Sequence, residues 1–169
     1  MTVHPSSASG LVGQSSAIRR AVDQIERAGT STVWVYGEVG TDKPAVARAL
    51  HAGGVRRDGP LQIVDCGAFP LRLASSVLFG HETGAFIGAT SRHRGALERA
   101  NGGLVFLRAI ERLAPPDQAR LMHVLDTGMV RPIGSSAPRQ VDIQIVAASH
   151  LRLGSAAHYD NFRRDLFER

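Results

Sequence analysis

The sequence predicts an α/β fold in which one parallel sheet is covered by helices on both faces. Four short apolar runs, at 33–36, 61–64, 104–107 and 143–148, have the length and composition of buried strands. Helical patterns separate these runs, and strands that alternate with helices are typical of a parallel sheet in a three-layer fold. The chain has 169 residues, of which 43% are hydrophobic and 5% aromatic, so it fits one domain with a mostly aliphatic core.

Three segments outside these runs predict helices. Ser15 is placed to cap a first helix that ends near Gly29. A second helix is predicted over about residues 43–52, and a third begins at Pro115 and stops at Gly128. The positions expected to face inward are Ile18, Val22, Ile25, Val46, Ala47, Leu50, Leu121, Val124 and Leu125.

The other segments predict loops. Glycine-rich stretches at 53–59, 80–88 and 95–103 are typical of loops, and residues 1–10 are typical of a flexible N-terminal tail without a secretory signal. No apolar run is long enough to span a membrane. Cys66 is the single cysteine, which excludes an internal disulfide and favours a cytoplasmic location. The net charge of +5 comes from scattered Lys and Arg, so we expect no direct DNA binding.

A glycine loop between the first strand and the second helix has the spacing of a phosphate-binding loop. It consists of Gly37, Glu38, Val39, Gly40, Thr41, Asp42, Lys43 and Pro44. It keeps the first glycine and the lysine of the general pattern G-x-x-x-x-G-K-[ST]. In such loops, backbone N–H groups at a helix N-terminus surround an anion. A plain turn that joins a strand to a helix explains this segment equally well when it is taken alone.

Five segments occur in a characteristic order along residues 11–169. They are Leu11-Val12-Gly13, the glycine loop, Leu78 to Ala89, Gly102 to Leu107 and Phe162 to Leu166, and the third reads LFGHETGAFIGA. Together they resemble the central AAA+ domain of sigma-54-dependent transcriptional activators, the bacterial enhancer-binding proteins. The resemblance implies a P-loop NTPase fold of the AAA+ type that binds ATP and Mg²⁺. It also implies two partners, homologous AAA+ subunits in a ring and the RNA polymerase sigma-54 factor.

The resemblance also assigns roles outside the glycine loop. Gly84, Ala85, Phe86, Ile87, Gly88 and Ala89 match the family's GAFTGA loop, which contacts the sigma factor. In that loop, Ile87 stands where the family has threonine. Arg163 and Arg169 match two arginines that reach into the nucleotide site of a neighbouring subunit. The chain stops before the segment that forms the family's helical lid, so we expect the lid subdomain to be missing.

Two departures from the family affect the ATPase machinery. Asp42 replaces a loop glycine, and two unit charges about 4 Å apart repel by roughly 1–4 kcal/mol. Pro44 removes one N–H, and Asp followed by Pro suits a helix start, so we expect Asp42 to cap the second helix. Where the family has Asp-Glu after a strand, this chain has Arg108 and Ala109, which neither bind Mg²⁺ nor act as a base. We expect Arg108 to pair with Asp42 in the vacated site.

These observations favour a pseudo-ATPase module, with no catalytic residue, no metal and no nucleotide cofactor, that regulates transcription by contacting sigma-54 or by joining an AAA+ ring. Two alternatives stay open: a weak ATP-binding protein in which Lys43 and the loop amides suffice, and a decayed fragment without function. His150 replaces the family's asparagine sensor, and a surface or capping histidine is the simplest interpretation. Cys66 is expected to be a buried structural thiol.

Overall fold

The structure is a computed structural model that describes residues 11, 16–151 and 161–169. The expected tail at 1–10 and the expected cap Ser15 lie outside the described residues. The α-helices are α1 Ser16–Ala28, α2 Lys43–Gly53, α3 Leu71–Phe79, α4 Ala96–Arg99, α5 Pro115–Thr127 and α6 Arg164–Glu168, and a 3₁₀ helix spans Ile110–Arg112. The strands are β1 Val33–Tyr36, β2 Leu61–Asp65, β3 Gly80–His81, β4 His93–Arg94, β5 Leu104–Arg108, β6 Met129–Val130, β7 Arg139–Gln140 and β8 Gln144–Ser149.

The central sheet has four parallel strands in the order β1-β8-β5-β2. On β5, Phe106 lies opposite Ile63 of β2 on one side and Val146 of β8 on the other. Parallel neighbours require crossover connections, and helices supply them on the faces of the sheet. The predicted parallel α/β sheet is therefore confirmed, with each of the four strands found within one residue of its expected position.

The core is divided between the two faces of the sheet, because successive side chains of a strand point in opposite directions. Leu104 and Phe106 face a layer formed by α1 and α2. Val105 and Leu107 face the opposite layer, where α3, α4, α5 and α6 pack. All four of these β5 side chains are fully buried. This arrangement confirms the three layers and places the carboxyl ends of the strands at one edge, near the glycine loop.

The prediction of loops was correct at 54–59 and partly wrong elsewhere. Gly80 and His81 form β3, which pairs with β4, and residues 96–99 form the short helix α4. Helix α3 was not expected at all. Together α3 and the β3–β4 ribbon carry the segment at 82–92 as a projecting loop. Among the described residues, no helix is both long and apolar enough to cross a membrane.

Candidate functional site

The glycine loop links the end of β1 to the start of α2, as expected. The ammonium of Lys43 folds back over the loop and donates hydrogen bonds to the carbonyl oxygens of Gly37 and Glu38, each at 2.7 Å. Thr41 Oγ1 donates to the Glu38 carbonyl oxygen at 2.8 Å, and Gly40 takes a positive φ of 89°. Lys43 therefore stabilises the glycine loop through hydrogen bonds to the carbonyl oxygens of the loop itself.

Asp42 precedes α2 at the cap position, but its carboxylate does not cap the helix. Capping residues reach the first amides of a helix from extended backbone, whereas Asp42 has left-handed angles of φ 45° and ψ 51° and forms no side-chain capping bond. Its carboxylate instead contacts Arg48 at 3.3 Å, one and a half turns into α2. The prediction of a side-chain cap was wrong, while Pro44 lies in the first turn of the helix as expected.

An open cavity of about 560 Å³ lies beside this loop at the carboxyl edge of the sheet. Its walls come from the glycine loop and from the ends of β2, β5 and β8. The lining residues are Val39, Gly40, Thr41, Asp42, Lys43, Pro44, Asp65, Gly67, Ala68, Arg108, Ala109, Glu111, Arg112, Ser149 and His150. The fold thus brings the glycine loop together with Arg108, Ala109 and His150, which sequence reasoning had placed at one site.

Arg108 and Asp42 line the same cavity but do not pair, so the expected ion pair was wrong. Arg108 Nη1 lies 3.2 Å from Asp65 Oδ2. The reason is the sheet register: Asp65 and Arg108 are direct partners at the ends of the neighbouring strands β2 and β5. Asp42, on the other side of the cavity, is engaged by Arg48 instead.

Glu111 is a cavity residue that the sequence analysis did not single out. Its side chain is only 7% exposed, and its carboxylate Oε1 lies 3.2 Å from His150 Nδ1. The two groups are at ion-pair distance, yet neither carboxylate oxygen makes a hydrogen bond with acceptable geometry. Glu111 lies on the 3₁₀ helix, three residues after Arg108 at the end of β5, and from there its side chain lines the cavity.

Cys66 is a buried thiol, as expected, and its chain neighbours Asp65 and Gly67 line the cavity. Burial, and after it the nearby carboxylates of Asp65 and Glu111, raise the pKa of the Cys66 thiol to about 12. Thiolate chemistry is therefore suppressed at this position. No group of three or more His, Cys, Asp or Glu side chains is arranged to hold a metal ion within the described parts of the chain.

The loop from Gly84 to Ala89 is a closed, projecting turn. Its ends are joined by a hydrogen bond from the Gly84 amide to the Ala89 carbonyl at 2.8 Å, and Ala89 N–H donates to the Phe86 carbonyl at 3.0 Å. Gly84 and Gly88 take positive φ angles of 79° and 97°. The ring of Phe86 packs edge-on against His81, with centroids 4.8 Å apart, while the side chain of Ile87 is fully exposed.

A charged network holds the base of this loop. Arg139 of β7 donates to Glu82 at 2.5 Å and to Glu98 at 2.6 Å. Glu98, on α4, is 12% exposed and also receives hydrogen bonds from Arg92 and Arg94, each at 3.0 Å. The network joins both ends of the 82–92 segment to the body of the domain.

Arg163 and Arg169 lie on the exposed surface at the end of the described chain. Arg163 pairs with Asp165 at 2.5 Å, and Arg169 pairs with Asp126 at 3.3 Å. The backbone N–H of Arg163 donates to the buried side chain of Gln118 at 2.8 Å, which fixes the start of α6 against α5. Both guanidinium groups are therefore engaged by carboxylates of the same chain.

Comparison with known proteins decides the family. The Sigma-54 interaction domain family matches residues 11–169, which is nearly the whole chain. The chain belongs to this family. Its relatives include the transcriptional regulatory protein ZraR of Klebsiella oxytoca, which is 40% identical over 100% of this chain and 39% of the relative. The DNA-binding transcriptional regulator NtrC of Azospirillum brasilense is 44% identical over 94% of this chain and 34% of the relative.

The fold of this sigma-54 interaction domain agrees with a solved relative. A crystal structure of NtrX from Brucella abortus in complex with ATP has a TM-score of 0.84 and 30% identity, and the match covers 94% of this chain and 34% of NtrX. The chain thus spans between a third and two fifths of the length of these relatives. The P-loop NTPase fold of the AAA+ type, inferred from the motifs, is confirmed.

Proposed function

We propose that this sigma-54 interaction domain contacts sigma-54 through the Gly84–Ala89 loop and does not hydrolyse ATP. The observation that carries the first part is the fully exposed aliphatic side chain of Ile87 at the tip of a loop closed by its own backbone hydrogen bonds. A preformed loop loses little conformational freedom on binding. Removing an aliphatic side chain of this size from water contributes about 1.5–3 kcal/mol.

The loop proposal is tested by measuring affinity for purified sigma-54 by biolayer interferometry. Replacing Ile87 with Ser keeps the loop backbone and removes the apolar tip, so we expect affinity to fall at least about tenfold. Phe86→Ala should weaken binding as well, because the ring supports the tip from its place on His81. Val55→Ser is the matched control, since Val55 is also an exposed aliphatic residue but lies after α2. Equal binding by parent and Ile87→Ser would refute the assignment, and no binding by the parent would favour the fragment without function.

The carboxylates of the cavity support the absence of hydrolysis. Mg²⁺ takes oxygen ligands, and phosphoryl transfer from ATP needs the metal and a group that orients water. Of the three carboxylates that line the cavity, Asp42 is paired with Arg48, Asp65 with Arg108, and Glu111 is buried against His150. The donor set of this wall therefore does not suit a metal-bound nucleotide.

Phosphate release from ATP in the presence of Mg²⁺ tests this second part. We expect release at the background rate for the parent chain and for Lys43→Ala alike. If the parent released phosphate faster than Lys43→Ala, the glycine loop would be catalytic, and the alternative of a weak ATP-dependent AAA+ protein would replace the proposal. Sigma-54 affinity is measured separately, so one part can fail without the other.

Ring assembly with homologous AAA+ subunits is a second candidate function. Arg163 and Arg169 support it, because both are exposed, and exposed ion pairs such as theirs are exchanged at little cost. A mixture with an active relative should then give mixed rings in mass photometry, and Arg163→Ala should reduce them. A mixture that yields only rings of the relative alone would argue against this function.

A further inference from the structure

The cavity beside the glycine loop is built for an anion, although its carboxylates are numerous. Two of the three carboxylates are paired with an arginine, Asp42 with Arg48 and Asp65 with Arg108, and the third, Glu111, is buried beside the ring of His150. Two further cations line the cavity without a carboxylate partner among the described residues, and these are Lys43 and Arg112. Together with Arg48 and Arg108, four cationic side chains stand against three carboxylates, so the balance that a ligand meets is positive.

Backbone donors at the glycine loop point to the same ligand class. The amides of Val39, Gly40 and Asp42 donate no hydrogen bond to the described residues, whereas Thr41 N–H donates to the Glu38 carbonyl. Successive unpaired amides in a turn before a helix form a concave anion site. The loop therefore adds partial positive charge on the wall that Lys43 already occupies.

Arg108 stands at the floor of the cavity between these groups. Its side chain is 58% exposed, and its closest contact with Asp65 is made by Nη1 at 3.2 Å. A guanidinium carries five donors in a planar fork, so one contact leaves donors that can face a ligand. A fixed guanidinium can neutralise phosphate oxygens, as a metal ion does, without any carboxylate ligands.

We infer that this cavity binds a polyphosphate anion without a divalent cation, and that Arg108 supplies the positive charge a metal would bring. The inference rests on the proposed absence of hydrolysis and specifies what the same site retains. It requires the cavity, the loop amides, Lys43 and Arg108 together. Mg²⁺ then gives no gain, because Asp42 and Asp65 are paired with arginines, the carboxylate of Glu111 is buried, and the metal meets Arg108 instead.

Isothermal titration calorimetry with the whole chain tests the inference, using ADP and pyrophosphate as separate probes. Each is titrated once in EDTA and once in excess MgCl₂. We expect binding in EDTA that is at least as tight as binding in Mg²⁺. Binding of ADP but not pyrophosphate would show that the nucleoside contributes, and equal binding of both would show that the phosphate chain suffices.

Variants of Arg108 separate its role from that of the loop. Arg108→Gln keeps a polar side chain and removes the charge, so affinity in EDTA should fall at least about tenfold. Arg108→Asp should bind only when Mg²⁺ is present. Arg57→Gln is the control, because this exposed arginine pairs weakly with Asp58 away from the cavity and should bind as the parent does. Thermal melting of each variant checks that the fold is intact.

Two results would overturn the inference. One is binding by the parent that is tenfold or more tighter in Mg²⁺ than in EDTA, and the other is no detectable heat with either probe at millimolar concentration. Unchanged affinity of a folded Arg108→Gln variant would also refute the role of this residue. None of these results alters the sigma-54 measurement, so failure here is distinguishable from failure of the loop proposal.

Discussion

Arg139 joins the base of the Gly84–Ala89 loop to the body of the domain, and its removal should loosen that loop. Its guanidinium reaches Glu82 at 2.5 Å and Glu98 at 2.6 Å. Arg139 and Glu82 are partly exposed and Glu98 is 12% exposed, so solvent screens the first pair more than the second. Hydrogen bonds to charged groups contribute about 1.5–3 kcal/mol each when they are protected, and exposed ion pairs contribute about 0–1 kcal/mol.

The expected loss for Arg139→Gln is about 1.5–3 kcal/mol in the free energy of unfolding, because Glu98 keeps its contacts with Arg92 and Arg94 while Glu82 loses its side-chain partner. Urea denaturation measures this loss, and hydrogen exchange should show faster exchange at 82–92 than in the central sheet. A double-mutant cycle with Glu82→Gln isolates the coupling between the two side chains. The network is refuted as the loop's support if Arg139→Gln costs no more than the exposed control Arg57→Gln and leaves exchange at 82–92 unchanged.

Two further predictions concern Gly80 and Cys66. At Gly80, φ is +81° and an added Cβ would lie 2.5 Å from the His93 carbonyl oxygen, so Gly80→Ala should cost about 2–4 kcal/mol in urea denaturation. Gly53→Ala, at the end of α2 with open space around it, should be neutral or slightly stabilising, and equal losses would contradict the steric argument. Cys66 should resist iodoacetamide in the folded protein and react after unfolding in urea, because burial raises its pKa from 9.0 to about 12. Since the folded state binds this proton more tightly than the unfolded chain, stability should fall as the pH rises from about 9 toward 12, and rapid native labelling at neutral pH would contradict the assignment.

The strands of the central sheet could be predicted because each is a short aliphatic run whose burial on both faces leaves little room for polar residues. Helix α3 could not be predicted by the same reasoning. It follows Pro70, which provides no side-chain cap, and its sequence mixes Ser75 and Ser76 with leucine and valine. Its place is fixed instead by packing, since Leu78 and Phe79 are buried in the core beneath β5. Local sequence patterns therefore predicted the four strands of the central sheet. They did not predict α3, whose position depends on packing against its neighbours.

The candidate site was predictable in its membership but not in its pairings. The spacing of the glycine loop together with the family resemblance placed Asp42, Lys43 and Arg108 at one site, and all three line the same cavity. Which carboxylate meets which cation depends on register and on backbone angle. The partner of Arg108 is Asp65 because β2 lies next to β5. The order of strands in a sheet cannot be predicted from a local sequence pattern. Glu111 was missed because a glutamate in a short turn after a strand is usually exposed and carries no sequence signal. Only the structure shows that this side chain is buried.

Asp42 and Arg108, the positions at which the sequence is expected to depart from its family, are compatible with the fold. Arg108 and Ala109 follow the buried part of β5, and the side chains from Leu104 to Leu107 that hold the two layers together are unaffected. The side chains of Asp42 and Arg108 are both more than half exposed, so solvent reaches both charges. Each is balanced by a residue of the same chain, Arg48 in one case and Asp65 in the other. Because the balancing partners are different, replacing one departure alone should leave the other pair intact. Restoring a carboxylate at position 108 would place it beside Asp65, where two like charges on neighbouring strands favour capture of a cation. The Arg108→Asp variant thus tests whether this single guanidinium is what separates metal-free binding from metal-dependent binding.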